Sequence, residues 1–201
     1  MKILFQGDSI TDCGRDRSDP KNIGPGYVKY AAEHICEMFP QKEFEFYNLG
    51  IGGNQTKDLV ARLETDFIDI QPDLVSILIG INDVWHNANN GGNWLSNDDF
   101  ECRYRAVLKA IKERTNAKIV MLEPFLFPAE DKQCFRVDLD PKIQVIRKLA
   151  REYRMFIFLL TACLQQELLP KIGSFIQLMV FILYSMVLRL LVKCMLMQFM
   201  I

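Results

Sequence analysis

Three short segments hold residue types from which acyl-transfer chemistry is built. Gly7-Asp8-Ser9-Ile10-Thr11 sets a hydroxyl between an apolar run and a helical pattern. Backbone N–H groups gather at such a junction and can face an oxyanion. Asn48-Leu49-Gly50-Ile51-Gly52-Gly53-Asn54 puts paired glycines into a turn, where the backbone can approach a ligand closely. Gly80-Ile81-Asn82-Asp83 supplies a neutral amide donor suited to a negatively charged oxygen. Each segment also has an ordinary explanation. Asp and Ser before a helix are common caps, paired glycines make a tight turn, and a loop Asn can close a turn by itself. Taken alone, the first segment reads as a cap and the second at least as well as a plain turn.

The elements that carry these segments change that balance. Short apolar runs occur at Lys2–Gln6, Phe44–Leu49, Leu74–Ile79 and Lys118–Glu123, and a fifth begins near Met155. Each is bounded by Gly, Asn, Pro or charge, as buried parallel strands are. Helical spacing fills the intervals. Tyr27–Phe39 is one such stretch; Thr56–Ile70 aligns Leu59, Leu63, Phe67 and Ile70; Phe100, Tyr104, Val107, Leu108 and Ile111 form a third stripe. Pro141 suits a helix first turn, with Ile143, Ile146 and Leu149 as its stripe. Strand–helix alternation of this length predicts a three-layer α/β/α sandwich with a parallel sheet of flavodoxin-like character. In such folds ligands sit beyond the strand C-termini. All three segments follow strands, so all three converge on one rim.

Composition narrows the field further. The 201 residues are 50% hydrophobic and 24% charged with net charge −1, which excludes a disordered chain and gives no global basic field for nucleic acid. The N-terminus lacks the long apolar core of a signal peptide, so a cytoplasmic location is the expectation. The six cysteines show no paired or metal-type spacing and read as reduced thiols or core filler.

With these residues in view, the chain resembles the SGNH (GDSL-type) hydrolases, and most of all their bacterial acetylxylan-esterase-like branch. The resemblance rests on Gly7-Asp8-Ser9-Ile10-Thr11-Asp12-Cys13-Gly14-Arg15, Gly24-Pro25-Gly26-Tyr27-Val28, the Gly53 turn and Gly80-Ile81-Asn82-Asp83-Val84-Trp85, and it runs from residue 1 to about 155. It implies a serine esterase with Ser9 as nucleophile. The oxyanion hole would comprise the Ser9 and Gly53 N–H groups and the Asn82 side-chain amide. The substrate would be a small carboxylic ester, an acetylated sugar, with Trp85 and Trp94 as candidate sugar contacts or as loop packing. No metal or cofactor is implied.

The resemblance also implies a late Asp-x-x-His-Pro motif supplying the base, and that motif is absent. No Asp follows Asp140 and no His follows His86. A serine hydroxyl is a weak nucleophile without a base in reach. His86, expected in an Asn/Gly-rich loop, reads as solvated or substrate-side, and His34, in a helix stripe, as structural.

The missing motif coincides with a change of text. Residues 156–201 carry four charges, Glu167, Lys171, Arg189 and Lys193, against 45 in residues 1–155. If each true codon begins on the third base of the printed one, Met179-Val180 must yield Gly, and Leu178–Leu183 can encode Asp-Gly-Val-His-Pro. Met186-Val187 again forces Gly, matching His-Pro-x-x-x-Gly. The leading reading is therefore an incomplete hydrolase domain over residues 1–155 and a frameshift product over 156–201, with the shift near Met155–Leu159. A membrane-associated tail ranks second, because Phe175–Leu188 is almost wholly apolar yet shorter than the about 20 residues a spanning helix needs. A buried core helix ranks third. Two further function classes follow from the same facts: a non-catalytic carbohydrate-binding relic, or a membrane-tethered protein that acts through the tail.

Overall fold

The computed structural model describes residues 1–88, 94–126 and 130–160, and the tail from residue 161 onward lies outside the described residues. Five parallel strands form one sheet: β1 (Lys2–Gly7), β2 (Glu45–Asn48), β3 (Leu74–Leu78), β4 (Lys118–Leu122) and β5 (Phe156–Phe158). Their spatial order is β2-β1-β3-β4-β5, the flavodoxin-like order expected of this α/β class. The interleaved helices are α1 (Ser9–Asp12), α2 (Tyr27–Met38), α3 (Thr56–Ala61), α4 (Ile81–Ala88), α5 (Asn97–Arg114) and α6 (Arg136–Glu152).

Side-chain alternation assigns the two faces of the sheet. Ile3, Phe5, Leu74, Leu78, Val120 and Leu122 pack on one side with Val28, Ala31 and Ile35 of α2. Leu4, Val75, Ile77, Ile119 and Met121 point the other way. There they meet the α5 stripe of Phe100, Tyr104, Val107, Leu108 and Ile111, together with Leu59 of α3 and Ile146 and Leu149 of α6. Both faces of the inner strands are therefore covered, as an all-parallel sheet requires.

Five expectations need correction. The Thr56–Ile70 stretch is not one α-helix. It is α3 followed by a π turn over Glu64–Ile68, in which Asp69 N–H donates to the Glu64 carbonyl at 2.8 Å. Pro141 does not open its helix; α6 begins at Arg136. The carbonyl deprived of a partner by Pro141 belongs to Val137, which is 79% exposed, so water can satisfy it. His34 is not a core residue, since it lies partly exposed beside Glu37 at 2.9 Å. His86 stands in the last turn of α4 rather than in a loop. Cys13, Cys36, Cys102 and Cys134 are exposed and outside any disulfide, so none of these four fills the core.

Candidate active site

At the end of β1 the chain must turn sharply into α1. Gly7 makes the turn feasible, because a Cβ there would stand 2.3 Å from Thr11 Oγ1 and 2.4 Å from the Leu78 carbonyl oxygen. Asp8 is the N-cap, accepting from Ile10 N–H at 3.0 Å. The cap explanation thus holds for Asp8 and leaves Ser9 as the first helical residue, exposed. Among the described residues the Ser9 hydroxyl has no hydrogen-bond partner, and its backbone N–H has no acceptor.

The glycine turn after β2 is stitched to α1. Asn48 accepts from Gly50 N–H and donates to the carbonyls of Thr11 and Ile23, at 3.0, 2.8 and 3.0 Å. Arg15 Nε donates to the Gly50 carbonyl at 3.0 Å. Asp12 accepts from Gly52 N–H at 2.9 Å and pairs with Arg17. Burial opposes the charge on Asp12, yet the Arg17 guanidinium and the Gly52 N–H hold its carboxyl below the usual range. Gly53 follows at φ +85°, a left-handed conformation that favours glycine. Its N–H, unlike that of Gly52, has no acceptor among the described residues.

From the other side α4 is tied to the same turn. One amide hydrogen of Asn82 goes to the Asn54 carbonyl at 3.0 Å, and Gln55 donates to the Asn82 carbonyl at 3.1 Å. An amide carries two hydrogens, so Asn82 keeps a second donor. Asp83, fully buried, accepts from both Thr56 N–H and Thr56 Oγ1, the latter at 2.6 Å. Burial pushes the Asp83 carboxyl up. Asp8 is pushed up to about 7, mainly by burial and further by the charge of Asp83. Its Oδ2 is buried without a partner.

Ser9 and Asn82 line one cavity of about 300 Å³, walled by Ile81, Trp85, Phe125 and Leu126 and bordered by Lys132. The glycine turn lies beside this rim: a Cβ on Gly52 would stand 3.7 Å from Ser9 Cβ, and one on Gly53 would stand 3.9 Å from the His86 ring. Of the three residues named from sequence, Ser9 and Asn82 therefore share a cavity, and Gly53 follows Gly52 in the turn beside it. Trp85 reaches the cavity, whereas Trp94 is exposed and outside its lining. His86 borders the turn but makes no hydrogen bond to Ser9. Asp12, Arg15, Arg17, Thr56 and Asp83, which hold the frame, received no role from sequence, although each sits inside or beside a quoted motif.

The sequence model of the GDSL-like Lipase/Acylhydrolase family matches residues 5–173. The chain belongs to this family. It is an SGNH hydrolase, close to the acetylxylan esterase branch of these carboxylic ester hydrolases. The acetylxylan esterase of Geobacillus stearothermophilus is 35% identical over 158 residues, which are 75% of this chain and 72% of that protein. The crystal structure of that enzyme matches with TM-score 0.76 and 33% identity, covering 83% of this chain and 79% of the other. A GDSL-like lipase of Parabacteroides merdae matches with TM-score 0.80 and 33% identity, covering 92% and 94%. Catalytic mutants of the Geobacillus esterase replace a serine, an aspartate or a histidine by alanine, the last two spaced as Asp-x-x-His. Among the described residues of this SGNH hydrolase, no helix is long and apolar enough to cross a membrane. Nor do three or more His, Cys, Asp or Glu side chains cluster as metal ligands there.

Proposed function

We propose that the fold is that of a serine esterase acting on O-acetyl groups of sugars, with Ser9 as nucleophile and the Ser9 N–H, Gly53 N–H and Asn82 amide as the oxyanion donors. The observation that carries this reading is that the exposed Ser9 hydroxyl and the second Asn82 amide hydrogen, both without a partner among the described residues, line a single cavity. Ser9 Oγ attacks the ester carbonyl, and its proton passes to a base. The carbonyl oxygen becomes an oxyanion facing the three donors, and the bond to the sugar oxygen breaks as that oxygen takes up the proton. Water then attacks the acyl-serine and releases the acid. Acetylated sugars come from the relative, an acetylxylan esterase.

The Asp-x-x-His-Pro motif that would supply the base is missing from the sequence. Neither His in the sequence bonds the Ser9 hydroxyl, and no Asp follows Asp140. We read residues 156–201 as a frame-shifted tail in an otherwise ordinary gene, the shifted codons supplying the Asp and His that the motif needs. The printed chain then has at most residual turnover, of the order of 10³–10⁴-fold over water, which oxyanion donors and binding alone leave in a triad enzyme. The absent base also supports a second reading, a carbohydrate-binding relic.

The test is to express the chain as printed and with the frame restored near codons 155–159, and to assay both on a panel of acetyl esters. Frame restoration is expected to raise turnover by orders of magnitude and to make Ser9→Ala severe; in the printed chain Ser9→Ala changes little. Robust Ser9-dependent turnover by the printed chain, or an inert restored protein, overturns the reading.

A further inference from the structure

A second cavity, of about 280 Å³, opens where Lys118 begins β4 and Phe156 begins β5. Ser9 and Asn82 follow the ends of β1 and β3, so this cavity lies at the opposite end of the parallel sheet. Its described lining holds three cations, Lys112, Lys118 and Arg154, and no carboxylate. Among the described residues none of the three has an ion-pair partner. The nearby acids are engaged elsewhere. Glu152 pairs with Arg105 at 2.7 Å, Glu64 with Arg114 at 2.7 Å and Glu113 with Lys109 at 3.9 Å. Asp73 accepts from Lys2 N–H at 2.7 Å. Lys112 is steadied by an aromatic face instead, its ammonium 5.5 Å from the centroid of Tyr153. Asn116, also in the wall, has both its backbone N–H and its side-chain amide unspent among the described residues.

The backbone at Arg154 is an independent observation. α6 ends in a Schellman turn, in which Met155 N–H donates to the Ala150 carbonyl at 2.8 Å and Arg154 N–H to the Arg151 carbonyl at 3.2 Å. The residue that makes this turn takes a left-handed backbone and is usually glycine. Here it is Arg154, at φ +54°, where a Cβ is strained against the following carbonyl. A guanidinium is thus kept on the cavity at a position where the backbone alone favours glycine.

Charge and size define the ligand. α5 and α6 both end at this cavity, through Thr115 and Tyr153, and each helix C-terminus brings about half a negative charge. Set against three cations, the two ends leave a surplus of about two positive charges. A carboxylate would meet half of it. A phosphate group, with about −1.5 to −2 charges at neutral pH, meets nearly all of it. Its oxygens also suit a guanidinium fork, two ammonium groups and an amide donor. The volume stands at the foot of the range for ligand sites, about 300–1,000 Å³, which fits a small molecule and not a polymer. We propose that this cavity binds a small phosphate dianion, free or as a monoester, held by Lys112, Lys118 and Arg154. The site stands apart from the esterase reading and needs no turnover.

Calorimetry on the full chain tests the site, with inorganic phosphate, glucose 6-phosphate and neutral glucose at constant ionic strength. Both anions are expected to bind, and glucose is not. Lys118→Gln should weaken binding about fivefold, the upper end for one exposed ion pair. Arg154→Gly should weaken it similarly while raising Tm by about 2–4 °C, because glycine relieves the left-handed backbone. Opposite effects on binding and stability separate a ligand contact from a folding defect. Failure of both anions to bind, or full affinity in both variants, overturns the proposal. So does affinity that is lost in Asn82→Ala and kept in Lys118→Gln, which would place the anion beside Ser9. Tighter binding of glucose 6-phosphate than of inorganic phosphate assigns the site to an ester, and the reverse order assigns it to the free ion; either order upholds it.

Discussion

Replacing Asp8 by Asn should flatten the dependence of stability on pH between about 4 and 7. Asp8 is 1% exposed, and its carboxyl titrates at about 7 instead of 3.8, through burial first and the Asp83 charge second, against the Ile10 N–H that favours ionisation. In the unfolded chain the carboxyl releases its proton near 4; in the folded chain it holds it to about 7. The folded state therefore binds more protons across that window, and unfolding free energy falls as pH rises through it. One pKa unit corresponds to about 1.36 kcal/mol, so this group removes up to about 4 kcal/mol between pH 4 and pH 7. Asn keeps the cap, since Asn and Asp serve equally well there, but cannot titrate. Urea unfolding of parent and variant across pH 4.5–8 should give curves that diverge with rising pH, the variant gaining on the parent by several kcal/mol at the top of the range. A stability difference constant with pH would refute the assignment of a retained proton to Asp8. Asp83 titrates in both proteins, so the subtraction isolates Asp8 and its coupling to that neighbour.

Thr56→Val should lower stability by about 1–3 kcal/mol in urea unfolding, because buried Asp83 loses the hydroxyl donor and retains only the Thr56 N–H; Thr56→Ser should recover most of the loss. Gly50→Ala should cost about 1–3 kcal/mol, seen as a lowered Tm, since its Cβ would stand 2.5 Å from Asp12 N and 2.8 Å from the Thr11 carbonyl carbon, backbone atoms that cannot swing aside.

The strands and their rim were legible because each sheet-facing run ends in residues with a steric or hydrogen-bonding reason to be there. Gly7, Asn48 and Gly80 end or follow such runs, and Ser9 and Asn82 then fall on one cavity, with the glycine turn beside it, by topology alone. Less legible were features decided by packing between elements. His34 fits the α2 stripe by spacing, but the buried side of that helix is set by Val28, Ala31 and Ile35. The π turn at Glu64–Ile68 accompanies Asp66 accepting from Gln6 of β1 at 2.9 Å, a partner 60 positions away. Pro141 marked a helix start by propensity, and the exposure of Val137 removed the penalty that makes this rule work.

The same distinction separates the parts of the candidate site. The proposed oxyanion donors belong to three turns braced against each other: Asp12 holds Gly52, Asn48 holds Thr11, Gln55 holds Asn82 and Thr56 holds Asp83. Among the described residues this frame is closed by residues 7–83. Among the described residues no His bonds the Ser9 hydroxyl, and the Asp-x-x-His-Pro motif of the proposed mechanism is missing from residues 156–201. On the frameshift reading proposed above, a shift of one reading frame there would leave the proposed donors in place and remove the proton acceptor. Geometry in residues 7–83 and turnover are then separable, and frame restoration with Ser9→Ala measures them independently.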